Sequence, residues 1–466
     1  MLEVAVNKLT KLGILAEAAR FDAACTSSGV TRGPREGMVG DACASGLCHS
    51  FSADGRCITL LKVLMSNACS YDCAYCVNRR GASCPRATFE PRELAELTVD
   101  FYKRNYIEGL FLSSAVLGNP DNTTERMIAC LEALRGELRF NGYVHAKVIP
   151  GTSPELVDRL GHLADRLSVN LELPSKASLA TLCPDKDAHG VLAPMAQIAT
   201  TRNAEEQALL DSPAGKKALA RRRRSTSSPV AEGMQVTSVG TRYTLGRPTS
   251  AVPNALRKFV PAGQSTQIIV GATPEDDNHI LQLSKSLYDH YGLKRIFFSA
   301  YMPMVEDSRL PDRETPVPLR REHRLYQADW LMRYYAFTPD ELATPNSPWL
   351  DLDVDPKLAW ALAHIEAFPI EVMDAPLETL LRVPGIGPVG ARRILAARRR
   401  RRLYIDDLRG LGITLKRARY FMTCGGKRDQ GAQLDPELIR RKVVSDAARS
   451  RYNATRRQAE GQLSLF

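Results

Sequence analysis

The chain of 466 residues lacks an apolar run long enough to cross a bilayer, so no helical membrane span is expected. Its first 24 residues carry Lys8, Lys11 and Arg20 but no continuous apolar core with a small-residue cleavage site behind it, which argues against a secretory leader. Cysteine is plentiful, at 11, yet the regular spacing of a secreted disulfide framework is missing, and an odd count cannot pair completely. These absences point to a cytoplasmic protein with reduced thiols available to metal. The length exceeds what one hydrophobic core serves, so two or three folding units are expected, and 44% hydrophobic residues suffice to fill them. A formal charge of +11 and a pI near 9.1 favour a polyanionic partner.

Most cysteines cluster at the N-terminal end. Cys69, Cys73 and Cys76 form C-x-x-x-C-x-x-C, with Tyr75 directly before the last thiol, behind the apolar stretch Ile58 to Met65. Three thiolates so spaced can hold three irons of a cubane cluster and leave the fourth iron open to a reagent. Structural zinc prefers four protein ligands in two separated pairs, and no second pair follows at zinc-finger distance. Upstream, Cys25, Cys43, Cys48 and Cys57 could ligate a second metal site, either an auxiliary iron–sulfur cluster or zinc, or be unrelated thiols. Cys84, Cys130, Cys183 and Cys424 are scattered and read as packing residues.

Six short apolar segments read as strands buried on both faces: Ile58 to Met65, Gly109 to Ser114, Tyr143 to Ile149, Arg166 to Leu173, Thr266 to Ala272 and Arg295 to Tyr301. Amphipathic helical patterns alternate with them, as in Pro91 to Tyr106, Thr123 to Leu138 and Glu275 to Tyr291. This alternation predicts a parallel sheet with its chemistry at the carboxyl ends of the strands. Residues 201–250, with Lys216, Lys217 and Arg221 to Arg224 before a Ser/Thr/Pro stretch, read as a mobile basic insertion between strands four and five.

The cysteine run resembles that of the radical S-adenosylmethionine (SAM) superfamily, and the likeness extends from about residue 55 to 340. It implies a partial (β/α)6 barrel, a 4Fe–4S cluster on Cys69, Cys73 and Cys76, bound S-adenosyl-L-methionine and an external electron donor. SAM contacts are then expected on one rim of the barrel: Tyr75 in the cysteine loop, Ser113 and Ser114 after strand two where relatives carry a glycine-rich turn, Asn170, Glu172 and Ser175 after strand four, and Gly271 at strand five. His145, Lys147 and Tyr301 are candidate pocket residues, with no acid or base assigned.

Beyond the barrel, Leu381 to Ile394 resembles a helix–hairpin–helix DNA-binding motif. Gly385, Gly387 and Gly390 permit the hairpin, Arg392, Arg393 and the run Arg398 to Arg402 add charge, and Leu381, Val383, Ile386, Val389 and Ile394 supply an apolar frame. A looser copy spans Leu408 to Ala418. The unit is expected to be small and all-α. The last residues, Gln462 to Phe466, resemble the peptide by which bacterial proteins dock on the DNA sliding clamp, through Gln462, Leu463, Leu465 and Phe466 on a flexible basic tail.

The order of parts resembles the family described as DNA modification or repair radical SAM proteins. Matching stretches are Asn67 to Arg79, Phe259 to Thr266, Val270 to Glu275 and Leu415 to Phe421. The expected organisation is an N-terminal cysteine-containing extension (1–57), a barrel (58–340), a hairpin domain (341–426) and a tail (427–466). The expected function is radical chemistry on a DNA base, nucleotide or lesion. The alternatives are an RNA-modifying radical SAM enzyme, a DNA-binding iron–sulfur adaptor or redox sensor, and a base-excision glycosylase using Asp406 or Asp407.

Overall fold

A computed structural model describes residues 8–19, 60–217 and 256–463, with side chains to residue 449. Cys25, Cys43, Cys48 and Cys57 lie outside the described residues, as do Ser464 to Phe466 and the insertion from residue 218 to 255. The described chain divides into two compact units. One contains all six barrel strands and ends at Pro318; the other contains Asp276–Lys285 and the chain from Leu319 onward.

The first unit is a curled, fully parallel sheet in the order β1 (Leu60–Leu64), β2 (Gly109–Ser113), β3 (Tyr143–Lys147), β4 (Arg166–Ser168), β5 (Gly263–Val270), β6 (Arg295–Ala300). Consecutive strands are neighbours throughout and β1 and β6 form the two edges, so this is the partial α/β barrel that strand–helix alternation predicts. The strands are deeply buried: every residue of β2 and of β5 is buried. Register places Leu64 beside Ser113, Lys147 beside Ser168 and Val270 beside Ala300, which brings the carboxyl ends of the strands to one rim.

Local chemistry sets the connecting helices. Pro91–Lys103 starts with proline in its first turn and a Glu90/Glu93 capping box. Pro120–Glu132 starts at Asn119, whose side chain accepts the Asn122 N–H at 2.8 Å. Ala188–Asp211 is capped by Asp187 and continues well past residue 201. The basic insertion therefore begins later than its composition suggests, because Ala and Leu up to Asp211 still favour helix.

Strand four is shorter than expected. After Ser168 the backbone leaves the ladder, and Glu172 adopts φ +67°, returning only as an isolated bridge to Ile268. A side-chain-bearing residue in the left-handed region costs about 1–2 kcal/mol, so the surrounding contacts must hold it there.

The second unit is helical, with a two-stranded parallel ribbon added, β7 (Ile370–Glu371) beside β8 (Met422–Thr423). Helices Leu377–Arg382 and Pro388–Arg398 are joined by one hairpin, and Ile405–Gly410 and Leu415–Ala418 by a second. Leu381, Val383, Ile386, Ala391 and Ile394 are buried in its core, as the apolar frame predicts. Val389 departs from that frame and is 58% exposed, because it falls outside the three- and four-residue stripe that Ala391 and Ile394 continue. The tail read as flexible runs as one helix, Pro436–Leu463.

Candidate active site

The loop after β1 carries the three thiols and is fastened on every side. Met65 N–H donates to the Ser113 carbonyl (2.7 Å), Ala115 N–H to the Ser66 carbonyl (2.8 Å) and Ser70 N–H to the Val116 carbonyl (2.8 Å), which ties the loop to the end of β2. Ser70 Oγ donates to the same Val116 carbonyl and accepts the Gly118 N–H, both at 2.8 Å. On the other side Ala74 N–H donates to the Leu182 carbonyl and Asp72 N–H to Asp185, each at 2.7 Å. The loop is thus held between the turn that follows β2 and the end of the helix Lys176–Leu182 with the turn beyond it.

Sequence reasoning missed the residue that organises this loop. The Arg86 guanidinium donates to the carbonyls of Asn67, Asn78 (2.9 Å), Arg79 (2.7 Å) and Ala82 (2.9 Å). Asn67 adds a bond from its amide to the Pro85 carbonyl and accepts the Ala87 N–H, both at 2.8 Å. A single arginine beyond a cysteine run carries no pattern in a sequence, so its role becomes visible only with the backbone it gathers.

The thiols have the environment of cluster ligands. Cys69 Sγ accepts the Tyr71 N–H and Cys76 Sγ the Asn78 N–H, each at 3.4 Å, the kind of donor that tunes a thiolate-bound cluster. Cys73 is buried in an apolar cluster with Ala74, Leu173, Leu182 and Ile269. Its thiol is lowered to about 7, mainly by a hydrogen bond with Cys183 that outweighs burial, with Lys186 helping. Burial pushes the Cys76 thiol up to about 12. Cys183 is raised, first by the same bond to Cys73, so of the pair Cys73 is the more readily ionised. Cys183 is a buried packing residue, as expected, and its packing partner is Cys73. Lys186 stays charged: burial opposes its charge, but Cys73, Glu172, Cys183 and Cys76 outweigh it and raise its pKa.

These thiols open onto a cavity with about 1040 Å³ of empty space, its solvent-facing mouth included. Tyr75, Ser113, Ser114 and Glu172 of the expected rim all line it, as do Lys147 and Tyr301. Lys147 Nζ lies 3.5 Å from Glu172 Oε1, an ion pair with both side chains largely buried. Asn170 instead bonds Gln267 Oε1 at 3.4 Å, and Ser175 bonds Glu275 at 2.5 Å; neither lines the cavity. Gly271 has φ +87°, and a Cβ there would lie 2.7 Å from Pro318 Cγ, so its glycine answers to that turn and its packing. His145 lies fully buried in the sheet, edge-on to Phe111 at 4.6 Å, and burial lowers its pKa so that the ring is neutral.

A 4Fe–4S cluster and SAM fit this donor set. Sulfur donors stand at the cavity, two already receive backbone N–H bonds, and Lys186 offsets their charge. Ser113 Oγ is buried at the cavity wall without a hydrogen-bond partner, which leaves a donor and acceptor for a polar ligand. Among the described residues no three His, Cys, Asp or Glu side chains converge as around a single metal ion. Ligands of a cubane sit on separate corners, so the cluster does not require that convergence.

In the second unit the first hairpin packs on the second. Gly385 has φ +90°, and a Cβ there would lie 2.6 Å from the Thr414 carbonyl oxygen; one at Gly390 would lie 2.5 Å from Ile413 Cδ1. Thr414 N–H donates to the Gly385 carbonyl at 3.1 Å. Arg398 is committed to the Val372 and Ala375 carbonyls (2.8 Å each), Arg401 to Asp407 (2.9 Å), Arg402 to the Gly425 carbonyl (2.9 Å) and Arg393 to the Leu411 carbonyl (3.3 Å); Arg393 and Arg399 to Arg402 are exposed. Asp407 also accepts the Tyr404 N–H at 2.8 Å and caps the helix Ile405–Gly410, which occupies it structurally.

No family model matches the chain, and no curated protein matches it. Among solved structures it is similar to HydG, a maturase of the FeFe-hydrogenase, with TM-score 0.37 and 11% identity over 58% of this chain and 49% of that one. It is also similar to HydG from Carboxydothermus hydrogenoformans (TM-score 0.34, 11% identity, 58% and 50% covered). A third similar structure is coproporphyrinogen III oxidase (HemN) from Escherichia coli, described as a radical SAM enzyme (TM-score 0.30, 12% identity, 56% and 50% covered). The chain spans about half the length of each of these proteins.

Proposed function

We propose that this protein is a radical SAM iron–sulfur enzyme that acts on DNA, modifying a base or nucleotide or repairing a lesion. The observation that carries the proposal is the loop of Cys69, Cys73 and Cys76 opening onto a cavity at the carboxyl rim of a six-stranded parallel barrel. Held on Cys69, Cys73 and Cys76, a cluster with SAM would supply radical hydrogen abstraction from a substrate. The chain's own residues place and enclose the reagents. Arg86 and Ser70 fix the thiol loop, the Lys147–Glu172 pair and Ser113 offer polar contacts to SAM, and apolar packing buries Cys73.

DNA as substrate is supported by the paired hairpins with their glycines, by exposed Arg393, Arg399 and Arg400, and by the net charge of +11. A base treated in a cavity at a barrel rim has to leave the duplex stack or be presented single-stranded. The sliding clamp is the partner proposed for Gln462 to Phe466, and the electron donor is external. The test is anaerobic reconstitution with iron and sulfide, followed by SAM, a reductant and defined oligonucleotides. Formation of 5'-deoxyadenosine with a mass change in DNA supports the proposal. Deoxyadenosine with a mass change only in RNA moves the substrate to RNA, and no SAM cleavage leaves an iron–sulfur adaptor.

A further inference from the structure

Lys357 is an unusual lysine. It stands in the first turn of the helix Pro356–Ala363 and is 7% exposed, although lysine is among the residues least often buried. Its Nζ donates to the Ile386 carbonyl at 2.6 Å, and the same atom lies 4.7 Å from the centre of the Tyr335 ring. Among the described residues no carboxylate forms an ion pair with it; Asp355, at the start of its own helix, is paired with Arg417. The ammonium is held by a carbonyl and an aromatic face.

That carbonyl sits inside the first hairpin, between Gly385 and Gly387. A trans peptide points its C=O and its following N–H in opposite directions. With the Ile386 carbonyl turned inward to Lys357, the Gly387 N–H is turned away from the core, and it donates to no other backbone or side-chain group among the described residues. Gly387 caps the helix Pro388–Arg398, whose first amides also lack partners within the helix. A Cβ on Gly387 would lie 3.2 Å from Tyr335 Oη, so the Lys357–Tyr335 arrangement also fixes the close approach of the turn.

We propose that Lys357 is the internal cation of the hairpin: it orients the Ile386–Gly387 peptide so that the Gly387 amide and the helix start receive a nucleic-acid phosphate. This makes Lys357 a positioning residue for backbone grip, and it rests on the DNA reading above. The groups facing it are Asp355 on its own helix, Arg382 from Leu377–Arg382 and the Tyr335 ring; Asp355 favours its charge, while burial and Arg382 oppose it and bring its pKa down to about 7. Duplex affinity therefore weakens as pH rises through that value.

The test uses the full chain, a labelled short duplex and hydrogen exchange. Lys357→Met should weaken duplex binding about tenfold at pH 6, as loss of a charge-assisted bond implies, and flatten the pH dependence between 6 and 8 seen in the unaltered protein. Exchange should quicken at Gly385 to Gly390 while the rest of the second unit keeps its protection. Methylammonium should partly restore binding to Lys357→Ala. Unchanged binding and hairpin exchange in Lys357→Met would overturn the proposal, as would loss of protection spread over the whole unit. If the unaltered protein binds no duplex, the DNA reading fails, while exchange confined to the hairpin in Lys357→Met still upholds Lys357 as the residue that orients it.

Discussion

Replacing Arg86 by methionine isolates the contribution of loop architecture to cluster binding, because among the described residues its hydrogen bonds go to backbone carbonyls. Its guanidinium gathers four backbone carbonyls on both flanks of the cysteine run, those of Asn67, Asn78, Arg79 and Ala82. At about 1 kcal/mol net for each bond, the full set is worth about 4 kcal/mol, and half-buried carbonyls that recover water reduce the loss to about 2–3 kcal/mol. Methionine keeps most of the apolar volume, so the barrel core stays intact and the loss falls on the loop. A penalty of that size corresponds to roughly a hundredfold weaker hold on the cluster when an ordered loop is required. The assay is iron content and visible absorption of anaerobically reconstituted protein during a chelator challenge, beside thermal unfolding of the iron-free chain. Arg86→Met should lose iron markedly faster than the unaltered protein with only a small change in unfolding. Equal retention of iron would refute the idea that this arginine preorganises the ligand loop.

Glu172→Gln, which removes one charge from the Lys147–Glu172 pair in the cavity, should weaken SAM binding about tenfold by equilibrium dialysis without reducing iron content. Gly385→Ala places a Cβ 2.6 Å from the Thr414 carbonyl in a residue at φ +90°; it should destabilise the second unit by roughly 2–4 kcal/mol, read as a lower denaturation midpoint, and reduce duplex binding. Glu371 accepts the Met373, Gly425 and Gly426 N–H groups and the Thr423 hydroxyl; although burial opposes ionisation, these donors lower its pKa. Its contribution to stability is complete above the ordinary glutamate range and is lost as pH falls through the lowered value, so the acid limb of unfolding should be shallower in Glu371→Gln. A Glu371→Gln acid limb identical to that of the unaltered chain would contradict this.

Much of the barrel was legible because buried parallel strands are written as short β-branched apolar runs, and all six occur where such runs fall. Their ends were less legible. Strand five begins at Gly263, through Gln264, Ser265 and Thr266, polar residues that the apolar pattern discounts but the sheet buries. Strand four ends early because Glu172 takes a left-handed conformation, and no residue preference announces that for glutamate. That the thiols, Ser113, Ser114 and Glu172 share one cavity was legible from the cysteine spacing and from places at strand ends. Cys183, Lys186 and Lys357 were not, since each acts through partners far away in sequence, nor was Arg86, whose partners are nearby backbone carbonyls that leave no sequence signature. Gly271 also has a turn to serve, since its positive φ brings it against Pro318.

The central claim is that the thiol loop and cavity deliver radical chemistry to DNA. The most direct measurement is deuterium transfer from duplex or single-stranded DNA, deuterated throughout its sugars and bases, into the 5'-deoxyadenosine formed by reconstituted protein with SAM and reductant. The account predicts deuterated 5'-deoxyadenosine that disappears in Cys73→Ala. SAM left intact, or 5'-deoxyadenosine that never carries the label, would contradict it.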